Sequence, residues 1–445
     1  MLFVSRSLRR RYSRPLILGV ICVFLLDAFY SIVSQPSETR ETSNPVLGQK
    51  IFIASIFRNN EYILRLHWIN ALLDTIKVLG PENIYVSIVE SGSQDDTKGA
   101  LRDLQHLLED LGVEHKIELG ETVEEQGASL LAVPEEGKRE GWIYSGRIEK
   151  SESGWEVRRI PYLARLRNKA MEPLSSGKLE KEGKKFRKVM WINDVIFTKD
   201  DVTTLLSTRN GQYAAACSLD FSHGQDYYDT FALRDQEGHK TASLKYPYFH
   251  SPSSRSRLFQ NKPIPAQSCW NGMVIFDSSP FYAQFAQGEG WKIKDGLKFR
   301  GVDDSLAREH VEGSECCLIH ADNPLTVKSG VWINPNVRVA YNEPSYALVN
   351  PGAQFEETGV AFARRLFWED DQRGSWPSQT SLLFGTWQNR WLRLIQRPRL
   401  WSEREVIERR VKKWAEKVPG REEKGTHCLI NEMQVLFQNG WQHVE

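Results

Sequence analysis

KVMWINDVIF, residues 188–197, is the stretch that decides the fold. Residues 189–192 are apolar on both faces of the predicted strand, and Asn193 and Asp194 follow them directly. A strand that is apolar on both faces is typical of a parallel sheet covered by helices on both sides. A carboxylate at the end of such a strand loses water and needs a compensating partner. The stretch therefore predicts an α/β fold with a polar site at the carboxyl end of a buried strand.

The rest of the chain alternates strand-like and helix-like segments around this strand. Strands are predicted at residues 50–57, 83–89 and 114–119, and helices at residues 61–79, 98–111 and 161–174. Residues 120–153 interrupt the alternation with Gly, Glu and Lys, and they predict a surface insertion. Beyond residue 212, short apolar segments alternate with loops rich in Pro and Ser. This pattern predicts one domain over residues 50–350 with a central, mostly parallel but mixed sheet.

The N-terminus carries a basic segment followed by an apolar one. Five arginines and no acid occur among residues 1–14, and an 18-residue run, mostly apolar, follows at residues 16–33. That length nearly matches a bilayer core of about 30 Å, and flanking arginines favour the cytoplasmic side. We expect a cytoplasmic tail at 1–14, a transmembrane signal anchor at 15–34 and a stem at 35–49. Asp27 weakens the span, and a cleaved signal peptide is the alternative.

Composition excludes several classes of protein. The 445 residues carry 58 Lys and Arg against 57 Asp and Glu, so the net charge of +1 gives no reason to expect a nucleic-acid partner. The six cysteines show no metal-binding spacing, and an oxidising compartment would allow one or two disulfides. Residues 351–445 contain several tryptophans among Arg and Lys and a predicted helix at 402–417. They predict an appended C-terminal region.

Polar residues follow the first two predicted strands. Arg58 follows one strand, and Glu90, Ser93 and Asp95 lie in the loop after the next. An acid at a strand end can accept hydrogen bonds from ribose or a base, and the small residues after it allow close approach of a nucleotide. A β-turn followed by a capped helix explains the same residues without a ligand.

The helix at 161–174 and the end of the central strand supply further candidates. Arg165, Arg167 and Asn168 lie within four positions, and either arginine could bind a diphosphate bidentately. A surface helix is the alternative. Asp194 is a candidate ligand for Mg²⁺ or Mn²⁺, which bind through carboxylates and substrate phosphates. A helix cap or an arginine pair is the alternative for Asp194.

Residues toward the C-terminus are candidates for the sugar side. Trp270 could stack on a sugar and Asn271 could hydrogen-bond its hydroxyls. Asp303 and Asp304 precede a predicted helix, so one of them could cap it and the other could face the donor or acceptor. An inverting transfer would need such an acid as general base.

The order of these motifs resembles nucleotide-sugar glycosyltransferases of the GT-A fold. In detail, the chain resembles the fungal capsule-associated and α-1,3-mannosyltransferase family, the cryptococcal mannosyltransferase type. The stretches that carry this resemblance are IFIASIFRNN, ESGSQDDT, RIPYLARLRNKAMEPL, WINDVIFTKDDV, SLDF with YYDTFALRD, SCWNGMVIFD, and FRGVDDSLAREH with SECCLIHAD. The resemblance covers about residues 51–346. It implies retaining transfer of mannose from GDP-mannose to a glycan acceptor, usually Mn²⁺-dependent, by a Golgi type II membrane protein.

The resemblance also implies roles for single residues. Asn193 and Asp194 occupy the position of the Asp-x-Asp metal motif, with Asn in place of one acid, so Asp194 is the expected direct ligand. His320 or Asp322, in a predicted C-terminal strand, could complete the coordination, although a core histidine is an equal alternative. Asp220 could be a second ligand or an acceptor contact. With retention, Asp303 or Asp304 would orient hydroxyls or stabilise positive charge on the sugar ring.

Two other functions compete with transfer. A glycoside hydrolase would use two carboxylates, for which Asp303 or Asp304 and Asp194 or Asp220 are available, and it would need neither metal nor nucleotide. A carbohydrate-binding membrane protein could have kept the fold without turnover, and the Asn in the metal motif is the feature that leaves this reading open.

Overall fold

The computed structural model describes residues 15, 18–23, 25–27, 29, 48–147, 153–282, 296–351, 376–437 and 440–444. The strands are β1 (Ile51–Phe57), β2 (Ile84–Glu90), β3 (Glu114–Glu118), β4 (Trp142–Tyr144), β5 (Trp155–Val157), β6 (Lys188–Ile192), β7 (Ala215–His223), β8 (Asp226–Tyr227), β9 (Arg234–Asp235), β10 (Ile264–Ser268), β11 (Met273–Asp277), β12 (Glu312–Gly313), β13 (Val331–Ala340), β14 (Leu429–Ile430), β15 (Met433–Phe437) and β16 (Gly440–Val444).

Helix α1 covers residues 61–79 as two α-helical parts, Glu61–Ile63 and Ile69–Leu79, around a π-helical segment, Leu64–Trp68. The other helices are α2 (Thr97–Asp110), α3 (Val123–Leu131), α4 (Arg159–Ser175), α5 (Lys178–Lys181), α6 (Lys199–Leu206), α7 (Pro252–Phe259), α8 (Asp304–Ala307), α9 (Glu315–Asp322), α10 (Leu325–Ser329), α11 (Glu343–Val349) and α12 (Gln379–Glu416).

One large sheet organises the chain. Its order is β3–β2–β1–β6–β11–β7–β13–β10–β9, and β8 pairs with β7. Parallel pairing joins β3, β2, β1 and β6, and it also joins β7 to β13, whereas β11 and β10 pair antiparallel with their neighbours. The predicted α/β fold with a mixed central sheet is confirmed.

Strand β6 lies in the interior of this sheet because both of its faces are apolar. It pairs with β1 on one side and β11 on the other, and all five of its residues are buried. Val189 and Trp191 belong to the core on one face of the sheet, and Met190 and Ile192 belong to the core on the other. Since β1, β2, β6, β7 and β13 point the same way, their carboxyl ends meet at one edge.

Two regions outside the large sheet, the insertion and the C-terminal region, form further helices and strands. Residues 120–153, predicted as a surface insertion, include α3 and β4, and β4 pairs with β5. The predicted helix at 402–417 falls within the longer α12. β14 pairs with β12, and a disulfide joins Cys317 to Cys428, so the C-terminal region is tied directly to the sheet domain.

A second disulfide joins Cys217 to Cys269, which leaves Cys22 and Cys316 free. Among the described residues, no helix is both long and apolar enough to span a bilayer. The predicted anchor at 15–34 is described at residues 15, 18–23, 25–27 and 29 only. The predicted tail at 1–14 and residues 35–47 of the predicted stem lie outside the described residues.

Candidate active site at the carboxyl edge of the sheet

The loops after β1 and β2 are held together by hydrogen bonds. The backbone N–H of Asn59 donates to Ser93 Oγ (3.0 Å), and Asn59 Oδ1 accepts from the N–H of Gln94 (2.7 Å). The N–H of Asn60 donates to Thr97 Oγ1 (2.7 Å). Asn59 has a φ of 56°, a left-handed conformation that asparagine tolerates well. These bonds fix the position of the Asn60 side chain at the sheet edge.

Asp194 lies opposite Asn60, immediately after β6. Asn60 Nδ2 donates to Asp194 Oδ2 (2.7 Å), and Asp194 keeps part of its surface accessible. Burial raises the pKa of Asp194, and the hydrogen bonds it accepts oppose that shift only in part. No salt bridge to Asp194 occurs in the part of the chain that the structure describes. The carboxylate therefore has a neutral partner where a cation would be favoured.

Asn193 connects this carboxylate to the neighbouring elements. Its Oδ1 accepts from Trp270 Nε1 (2.9 Å), and its Nδ2 donates to the hydroxyl of Tyr341 (3.4 Å). Its backbone carbonyl accepts from Trp68 Nε1 (3.0 Å). Asn193 is therefore a framework residue of the site, with its side chain turned to protein groups.

Two further acids lie beyond Tyr341. The Tyr341 hydroxyl donates to Asp220 Oδ2 (3.2 Å), and the N–H of Asp229 donates to Asp220 Oδ1 (3.1 Å). The N–H of Asn271 donates to Asp229 Oδ2 (3.2 Å). Burial and then the charge of Asp229 raise the pKa of Asp220, and burial raises the pKa of Asp229. The two carboxyl groups thus share a buried site, and the buried guanidinium groups of Arg167 and Arg234 lie within electrostatic range of Asp229.

Tyr228 covers this acidic group from the solvent side. Its side chain is 52% exposed, and its ring lies 4.4 Å from the ring of Tyr341. Burial raises the pKa of Tyr228, and so do the charges of Asp194, Asp220 and Asp229. Three carboxylates therefore lie within electrostatic range of one exposed aromatic side chain. Tyr228 was not among the candidates predicted from the sequence.

Trp270 and Arg167 form the floor of the site. Trp270 is almost fully buried, and the Arg167 guanidinium lies 4.3 Å from the Trp270 ring. Arg167 Nε donates to Glu315 Oε1 (3.1 Å). Trp270 therefore offers no free ring face for a sugar, contrary to the stacking role expected for it, and Tyr228 is the exposed aromatic of the site.

The predicted nucleotide-binding residues after β1 and β2 lie at the same edge. Glu90 is buried and its two oxygens accept from the N–H of Ser93 (2.6 Å) and of Gly120 (3.1 Å). Arg58 Nε donates to the carbonyl of Gly92 (3.5 Å). Hydrogen bonds to Asp95 come from Thr97 and from the N–H of Glu61. Glu90 and Asp95 therefore order the loops, and Arg58 is half-buried against the loop after β2.

Helix α3 of the insertion covers the loop after β2. Gln126 Nε2 donates to the hydroxyl of Tyr162 (2.8 Å), which is also bonded to Ser91 Oγ (2.7 Å). Gly92 has a φ of 63°, and a Cβ there would lie 2.6 Å from Gln126 Oε1. The positive φ favours glycine at position 92, and the contact with Gln126 places α3 beside the loop after β2.

The structure places Arg165, Asn168, Asp303 and Asp304 in a different cleft. This cleft, of about 980 Å³, lies between α4, the loop before α8 and residues 420–424. The amide of Asn168 pairs with the backbone of Phe299 through both its nitrogen (2.8 Å) and its oxygen (2.9 Å). No described contact joins any of these residues to Asp194.

The two neighbouring acids have different structural tasks. Asp304 pairs with the buried guanidinium of Arg158 (2.5 Å) and accepts from the N–H of Gly141 (3.0 Å). Asp303 is exposed, and it caps α8 by accepting from the N–H of Ser305 (2.7 Å). The expectation that one of the pair caps the helix is met by Asp303.

His320 lies in α9, not in the strand expected there. It is fully buried, its Nε2 is 2.6 Å from the carbonyl of Cys269, and its ring stacks on Phe276 at 5.2 Å. Burial lowers the pKa of His320 to about 4. The structure therefore places it in the apolar core, where it does not meet Asp194. Cys317, His427 and Cys428 also lie together, but the disulfide between the two cysteines removes them as ligands.

The residues at the edge site suit a divalent cation. Asp194, Asp220 and Asp229 offer carboxylate oxygens, which Mg²⁺ and Mn²⁺ prefer. Burial raises the pKa of each of these groups. A nearby cation would offset that cost, and Asp194, which is partly accessible at the end of β6 and has the neutral amide of Asn60 as its described side-chain partner, fits the role of direct ligand best.

Comparisons with known proteins agree with the motif likeness. The chain is 26% identical over 294 residues to the alpha-1,3-mannosyltransferase CMT1 of Cryptococcus neoformans, an alignment that covers 61% of this chain and 54% of the relative. The chain thus spans about half the length of the curated relative it matches.

Two solved structures are distantly similar. One is the mannosyltransferase PcManGT from Pyrobaculum calidifontis in complex with GDP-Man and Mn²⁺, with 10% identity, 92% of this chain and 86% of that chain covered, and a TM-score of 0.33. The other is the mannosyltransferase Ktr4p from S. cerevisiae in complex with GDP, with 14% identity, 61% and 72% covered, and a TM-score of 0.26.

A family model described as Cryptococcal mannosyltransferase 1 matches residues 50–322, which is more than half of the chain. That range runs from β1 through α9 and includes every loop of the edge site up to Asn271. The chain therefore belongs to the cryptococcal mannosyltransferase 1 family, a family of glycosyltransferases.

Proposed function

We propose that the chain is an enzyme that transfers mannose from GDP-mannose to a hydroxyl of a glycan acceptor and that it needs Mn²⁺ or Mg²⁺. Family membership supports the mannosyl group, and the similarity to the α-1,3-mannosyltransferase CMT1 supports the α-1,3 linkage. The motif resemblance supports GDP-mannose as the donor. Because the sugar of GDP-mannose is α-linked, an α product means retention at the anomeric carbon.

One observation carries the proposal: Asp194 stands at the carboxyl end of β6 with the neutral amide of Asn60 as its side-chain partner, and burial raises its pKa. Sheets of this kind bind ligands at that edge. A bound divalent cation would stabilise, as a Lewis acid, the negative charge that grows on the departing diphosphate. Asp194 would hold that cation, and Asn60 would keep its carboxylate in one orientation.

The remaining residues of the edge act on the sugar side. Tyr228 offers a partly exposed ring to the C–H face of a sugar, and its position over Tyr341 holds that ring in place. Asp229 keeps part of its surface accessible and can accept from a sugar hydroxyl or stabilise positive charge on the sugar ring. In a front-face substitution with retention, the departing diphosphate oxygen can take the proton of the acceptor hydroxyl, so this acid would not be required to remove it.

The test is mannosyl transfer by the purified full chain in detergent micelles. We expect transfer from GDP-mannose to α-mannosides with added Mn²⁺, its loss with excess EDTA, and its loss in Asp194→Asn. GDP binding without transfer to any mannoside would favour the non-catalytic reading. Mannoside hydrolysis that ignores both EDTA and GDP-mannose would favour the hydrolase and overturn the proposal.

We also propose a Golgi type II topology, with residues 15–34 as anchor and the sheet domain in the lumen. Two disulfides, one within the sheet domain and one that joins it to the C-terminal region, support an oxidising compartment. The sequence has no Asn-x-Ser/Thr site, but Val327→Asn creates one before Lys328 and Ser329 at a position that is 89% exposed. We expect this variant to gain an endoglycosidase-sensitive glycan in cells. An unglycosylated variant would contradict the lumenal placement.

A further inference from the structure

Helix α1 contains a π-helical turn at Leu64–Trp68, and this turn decides which way the later residues of the helix face. The N–H of Ile69 bonds to the carbonyl of Leu64, which lies five residues earlier instead of four. A π-helical turn therefore holds one residue more than an α-helical turn. Such turns are rare, and they often occur at functional sites.

The extra residue keeps a four-residue repeat of buried side chains on one face of α1. Leu64, Trp68, Leu72 and Ile76 are fully buried in the same core, and each lies four positions after the one before it. In a regular α-helix, twelve residues turn through about 1200°, so Ile76 would point about 120° away from Leu64. The extra residue of the π-helical turn removes about 100° of this rotation, so the four side chains form one stripe against the sheet.

Asp194 lies at the centre of a three-residue turn that Trp68 contacts. The N–H of Val195 donates to the carbonyl of Asn193 (2.8 Å), and this bond closes the turn around Asp194. The same carbonyl accepts a second hydrogen bond from Trp68 Nε1 (3.0 Å). The indole therefore holds the peptide group that directly precedes Asp194.

The ring of Trp68 has little freedom to move. It is fully buried, and it packs edge to face against Phe57 at 5.0 Å and against Phe197 at 6.1 Å. Phe57 is the last residue of β1, and Phe197 follows the turn at the end of β6, so the ring is wedged between the two chain segments that lead to the edge site. Because Trp68 is buried, it can act on Asp194 but cannot touch a substrate.

We propose that Trp68 is a positioning residue for the metal ligand Asp194, and that α1 holds this ligand at two points. Asn60, at the N-cap of α1, donates to the carboxylate of Asp194 (2.7 Å), and Trp68 bonds the backbone on the N-terminal side of Asp194. Together the two bonds fix the direction from which the carboxylate meets a cation. Groups that orient a metal ligand in this way contribute to metal affinity. The inference rests on the proposed function, because it takes Asp194 to bind the cation.

The experiment compares Trp68→Phe with Trp332→Phe in the full chain in micelles. Each substitution keeps an aromatic ring and removes an indole N–H that donates to a backbone carbonyl at 3.0 Å, that of Asn193 in one case and that of Ser329 in the other. Trp332 lies near the amino end of β13, at the opposite edge of the sheet, so it is the matched control. Calorimetric titration with Mn²⁺ at a fixed GDP concentration measures the half-saturating Mn²⁺ concentration. A second variant with 3-benzothienylalanine at position 68 keeps the bicyclic ring and replaces only the N–H by sulfur, in case the smaller phenyl ring prevents folding.

We expect both variants at position 68 to raise the half-saturating Mn²⁺ concentration about 10-fold, with native GDP binding restored at high Mn²⁺, and Trp332→Phe to leave it unchanged. A native value in the position 68 variants, an equal rise in Trp332→Phe, or a loss that excess Mn²⁺ does not restore would overturn the inference. Asp194→Asn in the same titration tests the proposed function separately. If Asp194→Asn abolishes Mn²⁺-dependent binding while the position 68 variants behave as the native chain, the inference fails and the proposed function stands. If Asp194→Asn also behaves as the native chain, both fail.

Discussion

Replacing Asp194 by asparagine separates the folding role of this residue from its proposed role in binding. The substitution removes the charge and keeps the shape. Asn60 Nδ2 can still donate to the new side-chain oxygen, as it donates to Asp194 Oδ2 at 2.7 Å in the native chain. The surrounding framework, in which Asn193 bonds Trp270, is untouched.

The two effects differ in size. Burial raises the pKa of Asp194, so the native charge itself costs folding free energy. Exchange of a charged for a neutral hydrogen bond from Asn60 costs about 1 kcal/mol, and relief of the buried charge offsets this cost. The free energy of unfolding should therefore change by no more than about 1 kcal/mol. Mutation of outer-shell partners of a metal already costs about 10- to 100-fold in affinity, so loss of a direct carboxylate ligand should exceed about 100-fold.

Calorimetric titration of GDP with Mn²⁺ into the full chain in micelles measures the loss of metal-dependent binding. Urea unfolding measures the change in stability. Asp303→Asn is the matched control, since Asp303 is exposed, caps α8 and lies in the other cleft. We expect native affinity in the control and a loss of about 100-fold or more in Asp194→Asn, with similar urea midpoints. Equal Mn²⁺-dependent GDP affinity in the native chain and in Asp194→Asn would refute the reasoning.

Further outcomes concern the residues that support the fold. Asp304→Asn should lower the free energy of unfolding by about 2 to 3 kcal/mol, because buried Arg158 loses a carboxylate partner and keeps only Glu312. Asp303→Ala should lower it by about 1 kcal/mol, because it removes a helix cap. Equal losses in urea unfolding would contradict this difference. Glu90→Gln should cost about 2 kcal/mol, since one oxygen that accepts a buried N–H becomes a donor, and an unchanged urea midpoint would count against it. Burial lowers the pKa of His320 to about 4, below its ordinary 6.5, so the unfolded chain binds more protons between these values. Stability should therefore be full above pH 6.5 and fall toward pH 4, by about 3 kcal/mol for this group, and an acid melting series in which His320→Asn leaves the slope unchanged would argue against it.

Local pattern was sufficient for the fold wherever the pattern reflects burial. The residues of β6 are apolar on both faces, and the structure buries Trp191 in one core and Met190 in the other. No pattern in the sequence indicates that β11 and β10 run antiparallel to their neighbours. Antiparallel pairing of Val274 with Trp191 depends on how the long loops return the chain to the sheet, and that is set by contacts distant in sequence.

The site was predicted in outline only. Strand-end reasoning found Asp194, and the same reasoning applied to β13 would have found Tyr341 directly after that strand. Tyr228 lies in a loop without periodicity, so its exposure follows from tertiary packing alone. Trp270 and His320 were candidates by chemistry, but both are buried by neighbours that no local pattern reveals.

Asparagine in place of an acid at position 193 was the main reason to consider loss of catalysis. The hydrogen bonds of Asn193 give a different explanation for the asparagine. Its side chain accepts from Trp270 Nε1 and donates to the Tyr341 hydroxyl, which itself donates to Asp220. An ionised aspartate has no N–H or O–H and could not donate to Tyr341 while Tyr341 donates to Asp220. The amide thus joins the end of β6, through Tyr341, to Asp220 of β7, which carries a carboxyl group that position 193 lacks. Asn193 is therefore compatible with a working metal site and gives no ground for preferring the non-catalytic reading.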